Sequence, residues 1–150
     1  LVGGAEEKQQ PYLEELKAMV SKYGLEDRVI FAGNAENIVP YYALSDVVVA
    51  PSNAPEAFGR TPIEASCMAK PIVATAHGGA LETIKDGETG FHFAVRDVKG
   101  MAKILRSLIE NEALRKQLGK NGKSFVEKTF TLKNMCSAEL SAYKQVLKVK

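Results

Sequence analysis

Apolar residues along this chain follow two patterns, short β-branched runs and longer stretches in which they recur every three to four residues. A short apolar run bounded by turn residues is typical of a buried strand in a parallel sheet. These runs predict strands at 29–32, 47–50, 72–74 and 90–93, and residues 1–4 have the pattern of the end of a strand. We expect the run at 47–50 to be fully buried.

The longer stretches predict helices between these strands. Their expected starts are Pro11, Ile38 after a cap at Asn37, Thr61, and a position capped by Asp97. The helices at 38–44 and 61–69 are short, and a turn is expected at 77–80. Strands that alternate with helices predict an α/β fold with a parallel sheet and right-handed crossovers.

Three helical stretches make up the C-terminal part of the chain after Asp97. The second runs to about Glu127 and the third begins after Thr131. Apolar residues at helical spacing form one face of a helix. On the third helix we expect these residues to lie in the core or at a docking surface: Leu132, Met135, Cys136, Leu140, Tyr143, Val146 and Leu147.

Composition indicates one globular domain. The chain has 150 residues, of which 45% are hydrophobic and 25% charged, and this length allows a real core. No apolar run approaches the ~20 residues of a membrane-spanning helix, and no signal peptide is visible. Cys67 and Cys136 have no C-x-x-C spacing and no neighbouring His, so we expect free thiols packed in helices, which fits the reducing cytosol.

Charge is unevenly distributed, although the net charge is only +2. Residues 1–95 hold 7 Lys/Arg against 13 Asp/Glu, whereas residues 96–150 hold 13 against 5. Solvated helix faces are the simpler interpretation, and attraction to an anionic lipid leaflet or phosphorylated acceptor is the alternative. Nucleic-acid binding is disfavoured, because the chain has no Trp and the basic region has no interleaved aromatic residues.

The candidate chemistry lies at 51–71, where Glu56 and Glu64 flank a turn from a strand into a helix. Thr61 at the N-cap, Pro62 at N1 and Glu64 at N3 would form a capping box, which is a structural role. Glu56 caps no evident helix, and loops that follow strands often carry function. Ligands of open α/β sheets bind at the carboxyl ends of the strands, and the N–H groups of a helix start favour phosphate.

Seven residues separate Glu56 from Glu64, and further motifs accompany this Glu-x7-Glu spacing. They are the whole segment 51–71, Val-Ala-Thr at 73–75, Gly78-Gly79, Glu82, and Asp-Gly-Glu-Thr-Gly at 86–90. Together they resemble the C-terminal domain of GT-B glycosyltransferases of family 4, also called group 1, and the resemblance covers nearly the whole chain. It implies a Rossmann-like parallel sheet with flanking helices, one half of a GT-B enzyme, and retaining transfer from a nucleotide-sugar donor.

The resemblance also implies roles for individual residues. Glu56 would be the catalytic candidate, contacting hydroxyls of the donor sugar near the anomeric carbon, and we do not expect it to be a nucleophile. Glu64 would accept hydrogen bonds from the ribose hydroxyls, since a carboxylate suits a diol. Backbone N–H groups at the helix start would stabilise the charge that grows on the leaving diphosphate. The residues expected there are Ala57, Phe58, Gly59, Arg60 and Thr61, and those expected near the base are Asn34 and Ile38.

Three other residues have weaker assignments. Glu82 fits the family's glycine-glycine-x-x-glutamate pattern, although helix capping or a surface position is an equal alternative. His77 has no partner visible in the sequence and is expected to be a loop histidine. Lys70 stands where the family commonly has a small residue, and a cation is favourable at a helix end.

The expected donor is a UDP-, GDP- or ADP-sugar, with no covalently bound cofactor and no metal, because the chain lacks an Asp-x-Asp motif. The expected acceptor is a glycan or lipid-linked molecule, and Glu-Ala-Phe-Gly-Arg at 56–60 favours bacterial envelope polysaccharide or lipopolysaccharide synthesis. The family's acceptor domain, its diphosphate-neutralising Arg and Lys, and the first strand and helix of this domain are not found in 1–150. We therefore interpret 1–150 as a single C-terminal donor-binding domain, inactive alone, cytoplasmic, and with peripheral contact at the inner face of the membrane as an option.

Two alternatives remain open at this point. One is a nucleotide-sugar epimerase of GT-B fold, and the other is a non-catalytic nucleotide-binding module. A dinucleotide oxidoreductase is disfavoured, because residues 3–8 lack the G-x-G-x-x-G pattern.

Overall fold

The computed structural model describes residues 1–147 and divides the chain into two compact units, Leu1–Ala43 and the residues from Leu44 onward. Unit 1 contains a 3₁₀ turn at Glu7–Gln9, helix α1 (Gln10–Lys22) and most of helix α2 (Val39–Leu44). Helix α2 begins one residue later than predicted, and the Val39 N–H at its start donates to Asn37 Oδ1 at 3.1 Å.

The strand predicted at 29–32 is wrong, as is a regular strand end at 1–4. These segments form a single parallel bridge between Val2 and Gly33, with hydrogen bonds from Gly3 N to Gly33 O (2.9 Å) and from Ala32 N to Leu1 O (2.8 Å). Gly33 has φ +70°, which lies outside the β region, so the pairing ends there instead of extending into a ladder.

Unit 2 contains a parallel sheet of three strands, β1 (Val48–Ala50), β2 (Ile72–Thr75) and β3 (Gly90–Phe93), in the order β1-β2-β3. The register pairs Val48 with Ile72 and Ile72 with Gly90. All four residues of the central strand β2 are buried. The prediction that the run at 47–50 is fully buried is wrong: β1 is an edge strand, and Val49 is 36% exposed.

The described part of unit 2 also contains the helices α3 (Arg60–Cys67), α4 (Ala80–Thr83), α5 (Val98–Glu110), α6 (Glu112–Thr129) and α7 (Leu132–Leu147). The predicted cap of α5 is confirmed, because Asp97 Oδ1 accepts from Gly100 N at 2.9 Å. A core cluster joins the sheet to α5 and α6 through Val73, Phe93, Leu108 and Leu118. The turn that follows α3 lies close to α6, since a Cβ on Gly119 would lie 2.0 Å from Ala69 O.

Helix α7 forms as predicted, but none of its residues is buried within the described part of the chain. Its apolar residues are therefore not core residues, and the prediction that they dock onto another surface stays a prediction. Cys67 and Cys136 are free thiols on helices, but both are exposed, so the prediction that they pack is wrong. Among residues 1–147, no helix combines the length and apolar character needed to cross a membrane.

Candidate functional site

A small, partly open pocket lies at the carboxyl ends of β1 and β2. This is the edge at which open α/β sheets bind ligands. Its walls come from both strand ends, the loop 51–59, the start of α3 and the turn after β2. The lining residues are Ala50, Ser52, Glu56, Gly59, Pro62, Ala74, Thr75, His77 and Ala80. Of the residues predicted for the site, Glu56 and Gly59 line this pocket.

The start of α3 differs from the prediction. The helix begins at Arg60 and its N-cap is Gly59, with φ +73° and no side-chain capping bond. A left-handed φ is easily adopted by glycine, and this lets the chain enter the helix earlier than Thr61. Thr61 is therefore not the N-cap and Glu64 is not at N3, so the predicted capping box is wrong. Pro62 is tolerated because the first four N–H groups of a helix lack an intrahelical partner anyway.

The loop 51–59 lies directly on the turn at Gly78-Gly79. Gly79 N donates to Glu56 O at 2.8 Å. A Cβ on Gly78 would lie 2.5 Å from Glu56 O, and a Cβ on Gly79 would lie 2.2 Å from Phe58 O. Both distances are shorter than any tolerated carbon contact, so this approach of two backbones requires glycine at both positions. The two glycines thereby hold the backbone of the candidate catalytic residue.

The side chain of Glu56 is exposed but has a partner within its own loop. Its Oε1 accepts a hydrogen bond from Ser52 Oγ at 2.8 Å. Its Oε2 lies near Gly59, 3.7 Å from where a Cβ of that residue would be. The carboxylate is thus placed beside the N-terminus of α3, where the partial positive charge of a helix start favours an anion.

His77 has a partner, which the sequence did not reveal. Its Nε2 is 2.8 Å from Ser52 O. A carbonyl oxygen can only accept, so Nε2–H is the donor. Nδ1 is buried, and no hydrogen-bond partner for it is present among the described residues. His77 therefore connects the turn after β2 to the loop after β1.

The other predicted residues spread around the start of α3. Glu64 is half-buried, one turn inside the helix, and is not among the described residues that line the pocket. Thr61 is half-buried, whereas Ala57 and Arg60 are exposed. The Phe58 ring contacts the Phe130 ring edge-on, at 5.7 Å between centroids, so its side chain fastens the loop to the end of α6.

Three further predicted residues lie elsewhere. Asn34 and Ile38 belong to unit 1, where Asn34 is exposed and Ile38 half-buried. Glu82 is exposed in the short helix α4, as the alternative for that residue expected.

Sequence reasoning missed the contacts of Ser52 and His77. It predicted a turn at Gly78-Gly79 but not that this turn lies against the loop 51–59. The adjacent glycines were a usable signal, because paired glycines after a buried strand often mark close backbone approach. Ser52 carried no comparable signal, since its contact depends on how the loop folds. Within residues 1–147, no group of three or more His, Cys, Asp or Glu residues is arranged to hold a metal ion.

Comparison with known proteins places these features in a family. Residues 1–125 match the family model described as glycosyl transferases group 1. The lipopolysaccharide core biosynthesis mannosyltransferase LpsB of Rhizobium meliloti is 33% identical over 136 residues, which are 89% of this chain and 38% of that protein.

Solved structures agree with this match. HepE from Anabaena in complex with UDP-glucose has a TM-score of 0.88 at 33% identity, over 95% of this chain and 40% of that one. The C-terminal domain of a group 1 glycosyl transferase (LpcC) from Francisella tularensis has a TM-score of 0.78 at 28% identity, over 85% of this chain and 67% of that one. The predicted fold class, a Rossmann-like sheet with flanking helices, is confirmed. The chain spans about two fifths of the length of LpsB and of HepE.

Proposed function

This chain belongs to the family of group 1 glycosyl transferases, and on that premise we propose that it is the donor-binding domain of a retaining enzyme. It binds a nucleoside-diphosphate sugar, and in the complete enzyme the sugar passes to a glycan or lipid-linked acceptor. Two findings support a donor of this class: the similar protein HepE forms a complex with UDP-glucose, and the start of α3 beside the pocket has no capping side chain. By itself the chain is expected to bind donor without transferring sugar.

The observation that carries the proposal is the placement of Glu56. Its carboxylate lines the pocket at the strand ends, next to the N-cap of α3, on a loop whose backbone is held by the Gly78-Gly79 turn. A fixed carboxylate beside a helix start suits a sugar that is attached to a phosphate. The carboxylate accepts hydrogen bonds from sugar hydroxyls, while helix N–H groups receive the phosphate.

The start of α3 would stabilise the leaving diphosphate. Because the helix has no side-chain cap, the N–H groups of Arg60 and Thr61 are available to phosphate oxygens, and Arg60 adds an exposed cation. The backbone of Ala57, Phe58 and Gly59 would complete the donor set. Negative charge grows on the β-phosphate as the glycosidic bond breaks, so preorganised donors here favour the transition state over the ground state.

We propose that Glu64 binds the ribose hydroxyls of the nucleoside, and the assignment of Asn34 and Ile38 to the base stays a prediction from the family resemblance. We infer retention of configuration, without a protein nucleophile, from the family. LpsB is named for lipopolysaccharide core biosynthesis, and this supports a role in bacterial envelope polysaccharide or lipopolysaccharide synthesis. We propose a cytoplasmic location, with optional contact of the basic C-terminal helices with the membrane.

Titration of the chain with UDP, GDP and ADP tests donor binding, and Glu64→Ala tests the ribose contact. We expect one nucleoside diphosphate to bind, and Glu64→Ala to weaken its binding about ten-fold, which is ~1.4 kcal/mol. Glu139→Ala in α7 is the matched control, because it also removes a glutamate from a helix, and it should leave the Kd unchanged. A lower melting temperature with an unchanged Kd would assign Glu64 a structural role and contradict the proposed contact.

A further inference from the structure

Two hydrogen bonds connect the turn after β2 to the carboxylate of Glu56, and both pass through Ser52. His77 Nε2–H donates to Ser52 O at 2.8 Å, and Ser52 Oγ donates to Glu56 Oε1 at 2.8 Å. The first bond fixes the backbone of Ser52. The second uses the hydroxyl of the same residue to fix the orientation of the carboxylate.

An exposed glutamate normally samples many rotamers, and this freedom is lost when its side chain is ordered. Glu56 is exposed, and its backbone bond from Gly79 does not restrict its side-chain torsions. The bond from Ser52 does restrict them, because it engages Oε1. Oε2, which lies toward Gly59, is then the oxygen left to meet a ligand.

We propose that Ser52 is a positioning residue for Glu56, with His77 holding Ser52 in place. This inference deepens the proposed function and rests on it for the identity of the ligand, a donor sugar. Ser52 touches Glu56, and its effect on the donor passes through the carboxylate. A preordered carboxylate costs less to bring into contact with the sugar than a mobile one.

The effect of Ser52 on the side-chain orientation of Glu56 can be tested without any ligand. Three-bond NMR couplings at Glu56 report its χ1 and χ2 populations in the 150-residue chain. We expect one dominant rotamer in the wild type and averaged couplings in Ser52→Ala. Ser107→Ala is the matched control, because the Ser107 hydroxyl donates to Ile104 O and touches no part of the pocket. Unchanged couplings in Ser52→Ala would overturn the proposal.

The effect on donor binding is measured as the sugar's contribution to affinity, which is the ratio of the Kd of the bare diphosphate to the Kd of the nucleotide sugar. We compare the Kd of UDP-glucose with that of UDP, and the Kd of GDP-mannose with that of GDP. Ser52→Ala should reduce the sugar's contribution by about five-fold, the factor that one hydrogen bond of ordinary net strength represents, and leave the Kd of the bare diphosphate unchanged. In the Glu56→Gln variant, the additional Ser52→Ala substitution should reduce the sugar's contribution little further, because the two residues act as a unit.

These results separate the inference from the proposed function. If Glu56→Gln reduces the sugar's contribution and Ser52→Ala does not, the orientation of Glu56 set by Ser52 has no effect on the sugar, and the proposal that Ser52 acts on the donor through Glu56 is wrong. If Ser52→Ala averages the couplings and neither variant changes the sugar's contribution, then Ser52 positions Glu56 and the proposed role of Glu56 is wrong.

Variants of His77 test the other end of the connection. His77→Phe keeps a ring but removes the donor, and it should average the Glu56 couplings partially. His77→Gln places an N–H near the position of Nε2, so the Glu56 couplings should be close to those of the wild type. Melting temperatures of both variants identify any general loss of folding, and wild-type couplings in folded His77→Phe would exclude His77 from the connection.

Discussion

Strand β2 and helix α7 are both apolar segments that the sequence predicts, yet their surroundings are opposite. All four residues of β2 are buried, whereas α7 has sixteen residues and none is buried within the described part of the chain. Leu132 and Val146 of α7 are 73% and 78% exposed. An apolar pattern therefore predicts the type of element, while burial depends on whether other elements cover its apolar face.

Leucine substitutions in α6 and α7 test this comparison most strongly. Leu118 is 1% exposed and Leu140 is 56% exposed. Leu118→Ala should lower the free energy of unfolding by about 2–5 kcal/mol, since it removes buried methyl groups and leaves a cavity. Leu140→Ala should change it by less than about 0.5 kcal/mol, as is usual for surface positions. Urea denaturation measures both, and equal losses would mean that α7 packs against a surface in solution.

Within the buried region, α6 packs closely against the end of α3 and the turn that follows it. A Cβ on Gly119 would lie 2.0 Å from the backbone oxygen of Ala69, whereas a Cβ on Gly122 would lie 3.1 Å from Ser66 Oγ. Alanine favours a helix by up to ~1 kcal/mol over glycine, but Gly119→Ala must push two backbones apart. We expect it to destabilise by about 1–3 kcal/mol.

Gly122→Ala is the matched control in the same helix, because its nearest neighbour is a side chain that can shift. It should cost less than half as much in thermal unfolding. If both substitutions stabilise the protein, α6 is further from α3 and its following turn than the structure shows.

The smallest effect concerns the exposed face of α6. Lys116 Nζ lies 2.6 Å from Glu112 Oε1, and this hydrogen bond, followed by the charge of Lys116, lowers the pKa of Glu112. A depressed carboxyl pKa stabilises the folded state above the unfolded pKa, and this contribution is lost as the pH falls through the folded pKa. Lys116→Ala should raise the Glu112 pKa in an NMR titration, with little change in stability at neutral pH. An unchanged pKa would mean that this ion pair is not formed in solution.

Local signals were enough to predict much of unit 2. The apolar runs at 72–74 and 90–93 correspond to β2 and β3, and the cap at Asp97 is where the sequence placed it. Errors arose where tertiary structure decides. The burial of β1 depends on its edge position, and the start of α3 depends on the left-handed φ of Gly59.

The candidate site shows the same division. The spacing of Glu56 and Glu64 and the glycine pair were visible in the sequence. The hydrogen bonds from Ser52 and His77 were not, because a serine in a loop and a histidine after a strand have no spacing rule that pairs them. These contacts exist because the Gly78-Gly79 turn brings two loops together.

The central claim is that the Glu56 carboxylate holds the donor sugar, and the turnover of Glu56→Gln in the complete enzyme tests it most directly. Glutamine keeps the size of the side chain and an acceptor for Ser52 Oγ, but it removes the charge and one acceptor oxygen. Transfer should fall about ten-fold or more, since ~1.4 kcal/mol of lost transition-state stabilisation gives that factor. The Kd of the bare nucleoside diphosphate should not change, because that ligand has no sugar. Wild-type turnover would contradict the claim, and a large loss of diphosphate affinity would reassign Glu56 from the sugar to the phosphates.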